Sequence, residues 1–108
     1  MSNPFNVFKT QTKKVKVKAL DNAEVELREL TVAESNELFK ELFNEEGKFD
    51  SSKSLSVRLK KISMSMTKPS MTVEELEALG AKANLAINEI SDEIDKFEKP
   101  EGLDEEGN

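Results

Sequence analysis

At Thr31 the apolar residues of this chain change their period, from two to three and four. That change dictates a hairpin followed by helices. Before it, Val15 and Val17 alternate with Lys14, Lys16 and Lys18, and Val25 and Leu27 alternate with Glu24, Glu26 and Arg28. Period two marks half-buried strands, and Asp21-Asn22 lies between the two runs, so residues 13–30 read as an antiparallel β-hairpin. A two-residue turn would set Val17 against Glu26 and spoil the apolar face. A three-residue loop, Leu20-Asp21-Asn22, pairs Val17 with Val25 and Val15 with Leu27, and sets Lys18 beside Glu24 and Lys16 beside Glu26. Such a loop wants a left-handed third residue, which Asn22 tolerates. This is the expected register. A hairpin with one apolar face must pack on something.

Helices should supply that something. Thr31-Val32-Ala33-Glu34 is a capping box, in which a hydroxyl and a carboxylate each accept an orphan amide. The helix it opens should run to about Glu46, burying Leu38, Phe39, Leu42 and Phe43, with Gly47 as its stop. A second helix is expected over about 54–66, with Leu55, Leu59, Ile62 and Met66 in its stripe and Pro69 ending it. Thr72-Val73-Glu74-Glu75 is another capping box. The apolar series Leu76, Leu79, Ala83, Ile87, Ile90, Ile94, Phe97 then keeps helical phase throughout. Gly80 interrupts it, at a cost of about 1 kcal/mol relative to Ala. The expectation is a short helix (73–79) and a long one (81–97).

The predicted organisation is a flexible arm over 1–12, one α+β domain over 13–97 and a disordered acidic tail over 98–108. Phe5 and Phe8 are expected to pin the arm to the body. The tail is acidic and almost free of apolar residues, a composition that cannot bury a core. Residues 1–90 carry as many acids as bases, so the whole net charge of −6 lies in 91–108. A balanced body argues against general nucleic-acid binding, which needs a basic footprint.

Among 108 residues there is no His, Cys, Trp or Tyr. A thiol nucleophile, an imidazole base, a disulfide and the usual thiolate or imidazole metal sites are thereby excluded. No nucleotide fingerprint or metal loop is present. The carboxylates and lysines that remain fall where solvated faces put them. The expectation is a non-enzymatic binding module, with no catalytic, cofactor-binding or metal-binding residues. No apolar run approaches the roughly 20 residues of a membrane span, and Met1 to Lys9 lacks the apolar core of a signal peptide, so the expected location is the cytoplasm, with no membrane partner.

Three features could carry binding. The stripe from Leu76 to Phe97 reads chiefly as core, because so small a chain has few other core residues. Its C-terminal end, Ile90, Ile94 and Phe97, is the candidate for surplus docking surface. Met64, Met66 and Met71 cluster around Lys68-Pro69. Methionines fill gaps in cores or form adaptable surfaces, and Met64, out of phase with its helix, is the best exposed candidate. The basic stretch Lys53, Arg58, Lys60, Lys61, Lys68 is either an anion-binding face or an ordinary solvated one.

The order of these elements carries a resemblance. Leu27-Arg28-Glu29-Leu30-Thr31 leading into a helix, and later Lys68-Pro69-Ser70-Met71-Thr72-Val73-Glu74-Glu75-Leu76 leading into another, resemble tail assembly chaperones of long-tailed, siphovirus-like bacteriophages over about residues 14–97. The resemblance implies a protein that coats the largely helical tape measure protein and keeps it in solution. It would also help recruit tail tube subunits and leave before the virion is complete. It implies the host bacterial cytoplasm as the site of action and, in many members, a longer frameshifted form. It supplies no catalytic residues. The expected partners are the tape measure and tail tube proteins, with weak homo-oligomers. The alternatives are a small structural or accessory particle protein, or an acidic regulatory adaptor or antirepressor.

Overall fold

The hairpin forms where the alternation places it, as strands β1 (Thr12–Val17) and β2 (Ala23–Arg28). The structure is a computed structural model and describes residues 3–98. A third strand, β3 (Met66–Lys68), adds antiparallel to β2, giving the order β1-β2-β3. Among the described residues four α-helices accompany the sheet: α1 (Val32–Lys40), α2 (Ser54–Ser65), α3 (Val73–Glu77) and α4 (Asn84–Asp95). The class is α+β.

The hairpin register differs from the expected one by two residues. Val17 faces Ala23, Val15 faces Val25, and Lys16 faces Glu24. An even shift leaves every side chain on its own face, so the apolar face survives. The cause is tertiary. The Glu89 carboxylate on α4 accepts the Lys18 and Ala19 amides, at 2.7 and 3.1 Å, and draws Lys18–Leu20 out of the ladder into a 3-10 turn. Asp21 and Asn22 then close the loop in left-handed geometry, with φ of 57° and 65°.

Both capping boxes form. Thr31 Oγ1 accepts the Glu34 amide and Glu34 accepts the Thr31 amide, and Thr72 and Glu75 repeat the pattern. Helix α1 stops at Lys40, well short of Glu46. Asn44 explains this: its side-chain oxygen accepts the Glu46 and Lys48 amides, at 2.9 and 3.0 Å, offering the backbone an alternative to the helix. Gly47, with φ of 81°, sits in the tight loop that follows rather than at a helix end. Phe43 and Phe49 bridge across that loop.

Helix α2 buries Val57, Leu59, Ile62 and Ser65, so Leu55, expected in the stripe, is exposed. Met66 is not helical. It begins β3, where it pairs with Leu27. Ser65, fully buried, donates to the Arg28 carbonyl at 2.5 Å and locks the helix-to-strand junction against β2. The chain breaks after α3. Gly80 is extended (φ −63°, ψ 156°), a 3-10 turn follows over Ala81–Ala83, and α4 takes over.

The core lies between the sheet and α2, α3 and α4. Val17, Leu27 and Ile62 are completely buried, packed with Val25, Leu59, Leu76, Ile87, Ile90 and Ile94. Truncating one such side chain costs about 2–5 kcal/mol. Lys13 ties β1 to the end of α4. Its Nζ donates to the Glu93 carbonyl at 2.8 Å and lies 4.5 Å from the centre of the Phe97 ring. The arm is not pinned as expected: Pro4–Phe8 forms a 3-10 turn whose Phe5 and Phe8 side chains are 72% and 74% exposed. From residue 99 onward the expected acidic tail lies outside the described residues.

Candidate partner-binding surface

Of the residues proposed for binding, Met66, Ile90 and Ile94 are buried in the core, and Met71 and Phe97 pack against it. The correction has a plain cause. The helical phase of α4 points Ile87, Ile90 and Ile94 into the core shared with α2 and the sheet, and β3 turns Met66 inward beside Leu27. Met64 is half-buried, so none of the six is an open docking residue.

Three of them nevertheless share a site. Met66, Met71 and Ile90 help line an apolar cavity of about 220 Å³ between the loop end of the hairpin and helices α3 and α4. Val25, Ile62 and Ile87 form its floor, and Leu20, Pro69 and Leu79 stand exposed at its rim. Each wall has a local cause. The Glu89 bonds place Leu20, Ser63 Oγ donates to the Met71 carbonyl at 2.8 Å and fixes the turn after Pro69, and the break at Gly80 lifts Leu79 from the core. Glu24 is the acid in the lining. A concave, almost wholly apolar site is the form that receives an apolar anchor.

A second exposed feature was missed by the periodicity. Phe39, assigned to the buried stripe, is 62% exposed, and Phe49 is 59% exposed. With Phe43 they form an edge-to-face series, with ring centroids 5.1 Å and 6.2 Å apart. The early end of α1 creates this series by folding Phe49 back on Phe43. Phe49 is the one large apolar residue of the polar stretch Gly47 to Ser54, and that contrast is the signal in the sequence that could have found it.

The basic stretch is largely neutralised in place. Lys60 pairs with Glu41, Lys61 with Asp95 at 2.6 Å and Lys68 with Glu26 at 3.9 Å. Arg58 donates to Asn88 at 2.8 Å. These contacts make it a solvated face stitched to its neighbours. Burial raises the Glu93 carboxyl, but bonds and charge from Lys96 and Lys13 outweigh it and leave it below its ordinary value. Among the described residues no group of three or more acids is placed to hold a metal ion, and no helix is long and apolar enough to cross a membrane. No family model, curated protein or solved structure matches the chain.

Proposed function

We propose that this chain is a phage tail assembly chaperone. It binds the tape measure protein, keeps it in solution and helps bring tail tube subunits to it. The observation that carries the reading is the apolar cavity rimmed by Leu20, Pro69 and Leu79. A helix bearing one large apolar side chain per turn or two offers anchors of the kind such a cavity accepts. The Phe39–Phe43–Phe49 series adds a second apolar contact on the same small body. The identity of the partner comes from the resemblance of the two helix-entry junctions, Leu27–Thr31 and Lys68–Leu76, to that family.

Co-expression tests it. The tape measure protein of the same phage should stay in the supernatant with the wild-type chain and precipitate with a Leu79→Asp variant. Equal precipitation with and without the wild-type chain would end the proposal. Recovery of the chain from mature virions would instead favour a structural particle protein, a reading for which β1, an open sheet edge, gives some support.

A further inference from the structure

The cavity between the hairpin loop and α4 gives water nothing to hold. Its volume is about 220 Å³, against the roughly 150 Å³ in which an engineered apolar cavity stays dry and takes up benzene. A buried water needs about two to four polar partners, and the wall turns no polar side chain towards it. Every lining residue but Glu24 is apolar. Glu24 stands opposite Lys16 on the polar face of β2, while its neighbour Val25 is buried on the other face.

Small residues build the hole. In the apolar series from Leu76 to Phe97, Ala83 is the one small member, and it lines the cavity. Ala86, on α4, lines it too. A larger side chain at either position would occupy the space. The mouth is accessible, since Leu20 and Leu79 stand exposed at its rim.

The wall also discriminates among apolar ligands. Met66 and Met71 bring two thioethers to it, and among the described residues no aromatic side chain lines it. A methionine sulfur gains from the edge of an aromatic ring about 5 Å away, and its flexible side chain adapts to the shape it meets. Two sulfurs around a ring-sized hole that lacks a ring favour an aromatic occupant over a saturated one.

We propose that the cavity is a binding site for a small uncharged aromatic molecule, a single ring with at most a short alkyl group and no hydrogen-bonding group. A ring seated there closes the cavity to an apolar anchor from a partner, so the two compete. The inference rests on the cavity alone and not on the chaperone reading.

Toluene is the probe. Met66 and Met71 line the cavity and Met64 does not, so isotope-labelled methionine methyls in the full chain report on the site and carry their own control. Titration with toluene should shift the Met66 and Met71 methyl resonances saturably, through the ring current, and leave Met64 in place. The melting temperature should rise over the same range. Methylcyclohexane, of similar size without the π-system, should bind several-fold more weakly. p-Cresol should bind about tenfold more weakly than toluene, because its hydroxyl finds no partner in the wall. Ala83→Leu, which fills the hole, should abolish the shifts in a chain whose unliganded melt shows it folded. No saturable shift, equal shifts at Met64, or binding of p-cresol or methylcyclohexane as tight as that of toluene would overturn the inference. Shifts seen only once Phe5 and Phe8 are both replaced by serine would give the cavity to the chain's own arm and overturn it as well.

Discussion

The Arg28 guanidinium grips the Glu34 carboxylate with two parallel bonds, at 2.9 and 2.8 Å, while the same carboxylate accepts the Thr31 amide at 2.9 Å. One side chain thus ends the strand, starts the helix and fixes the angle between them. The Arg28 bond, followed by that of Thr31, holds the Glu34 carboxyl at about 2, against an ordinary value of 4.5. A lowered folded value contributes stability that is fully present above about 4.5 and lost as pH falls towards 2. The pair is nearly a third exposed, so its contribution is about 1 kcal/mol after solvent screening. Glu34→Gln should lower stability by that amount at pH 7 and flatten the acid limb below pH 4.5. Urea midpoints at pH 7 and pH 3 measure both effects.

Ile62 sits on the cavity floor with no solvent exposure. Ile62→Ala should destabilise by about 2–5 kcal/mol. It would also enlarge the cavity, so partner capture measured on the folded fraction should survive. Denaturant titration beside a pull-down separates the two effects.

The exposed rings of Phe39 and Phe49 make contacts worth little to the fold. An aromatic pair contributes about 0.5–1.5 kcal/mol. Phe39→Ser with Phe49→Ser removes two such pairs and should therefore cost about 1–3 kcal/mol, yet reduce retention of the apolar partner severalfold. A thermal melt and a co-expression assay on the same variant decide the matter.

The two described glycines should respond in opposite ways. A Cβ at Gly80 would meet nothing within 4 Å, and its φ of −63° suits any residue. Gly80→Ala should be neutral or stabilise by about 0.4–1 kcal/mol. Gly47 has equal space but a φ of 81°, and Gly47→Ala should destabilise by roughly 1–2 kcal/mol. Melting temperatures of the two variants check the contrast.

What could be read from the sequence was whatever local pattern decides. The alternation around Asp21-Asn22, both Thr-x-x-Glu boxes and the interruption at Gly80 each act within a few residues, and each appears in the structure. The hairpin register was lost because Glu89, far along the chain, claims the Lys18 and Ala19 amides. Strand β3 was lost because three residues carry no period, and Met66 kept helical spacing while leaving the helix. Phe39 was assigned to the core because it stands three and four residues before Leu42 and Phe43, at helical spacing. In the structure that side of α1 faces solvent, and Phe39 is 62% exposed. The burial of Met66, Ile90 and Ile94 was missed for a related reason. Periodicity finds an apolar face, but the number of partners available to cover it is a tertiary quantity. The cavity gathers Leu20, Met71 and Leu79 from three separate segments, and no window along the sequence contains them together.

The contact between Lys13 and the end of α4 has a consequence for biosynthesis. Eighty residues separate Lys13 from Glu93, and Val17 at the hairpin packs in one core with Ile87, Ile90 and Ile94. The hairpin is therefore covered by a helix made long after it. While the chain is still being translated, the hairpin has no lid, and its valines wait in water until α4 emerges. Closure is a late event that depends on contacts distant in sequence, which slows folding. A truncation before residue 84 would release a hairpin with a bare apolar face rather than a smaller folded domain.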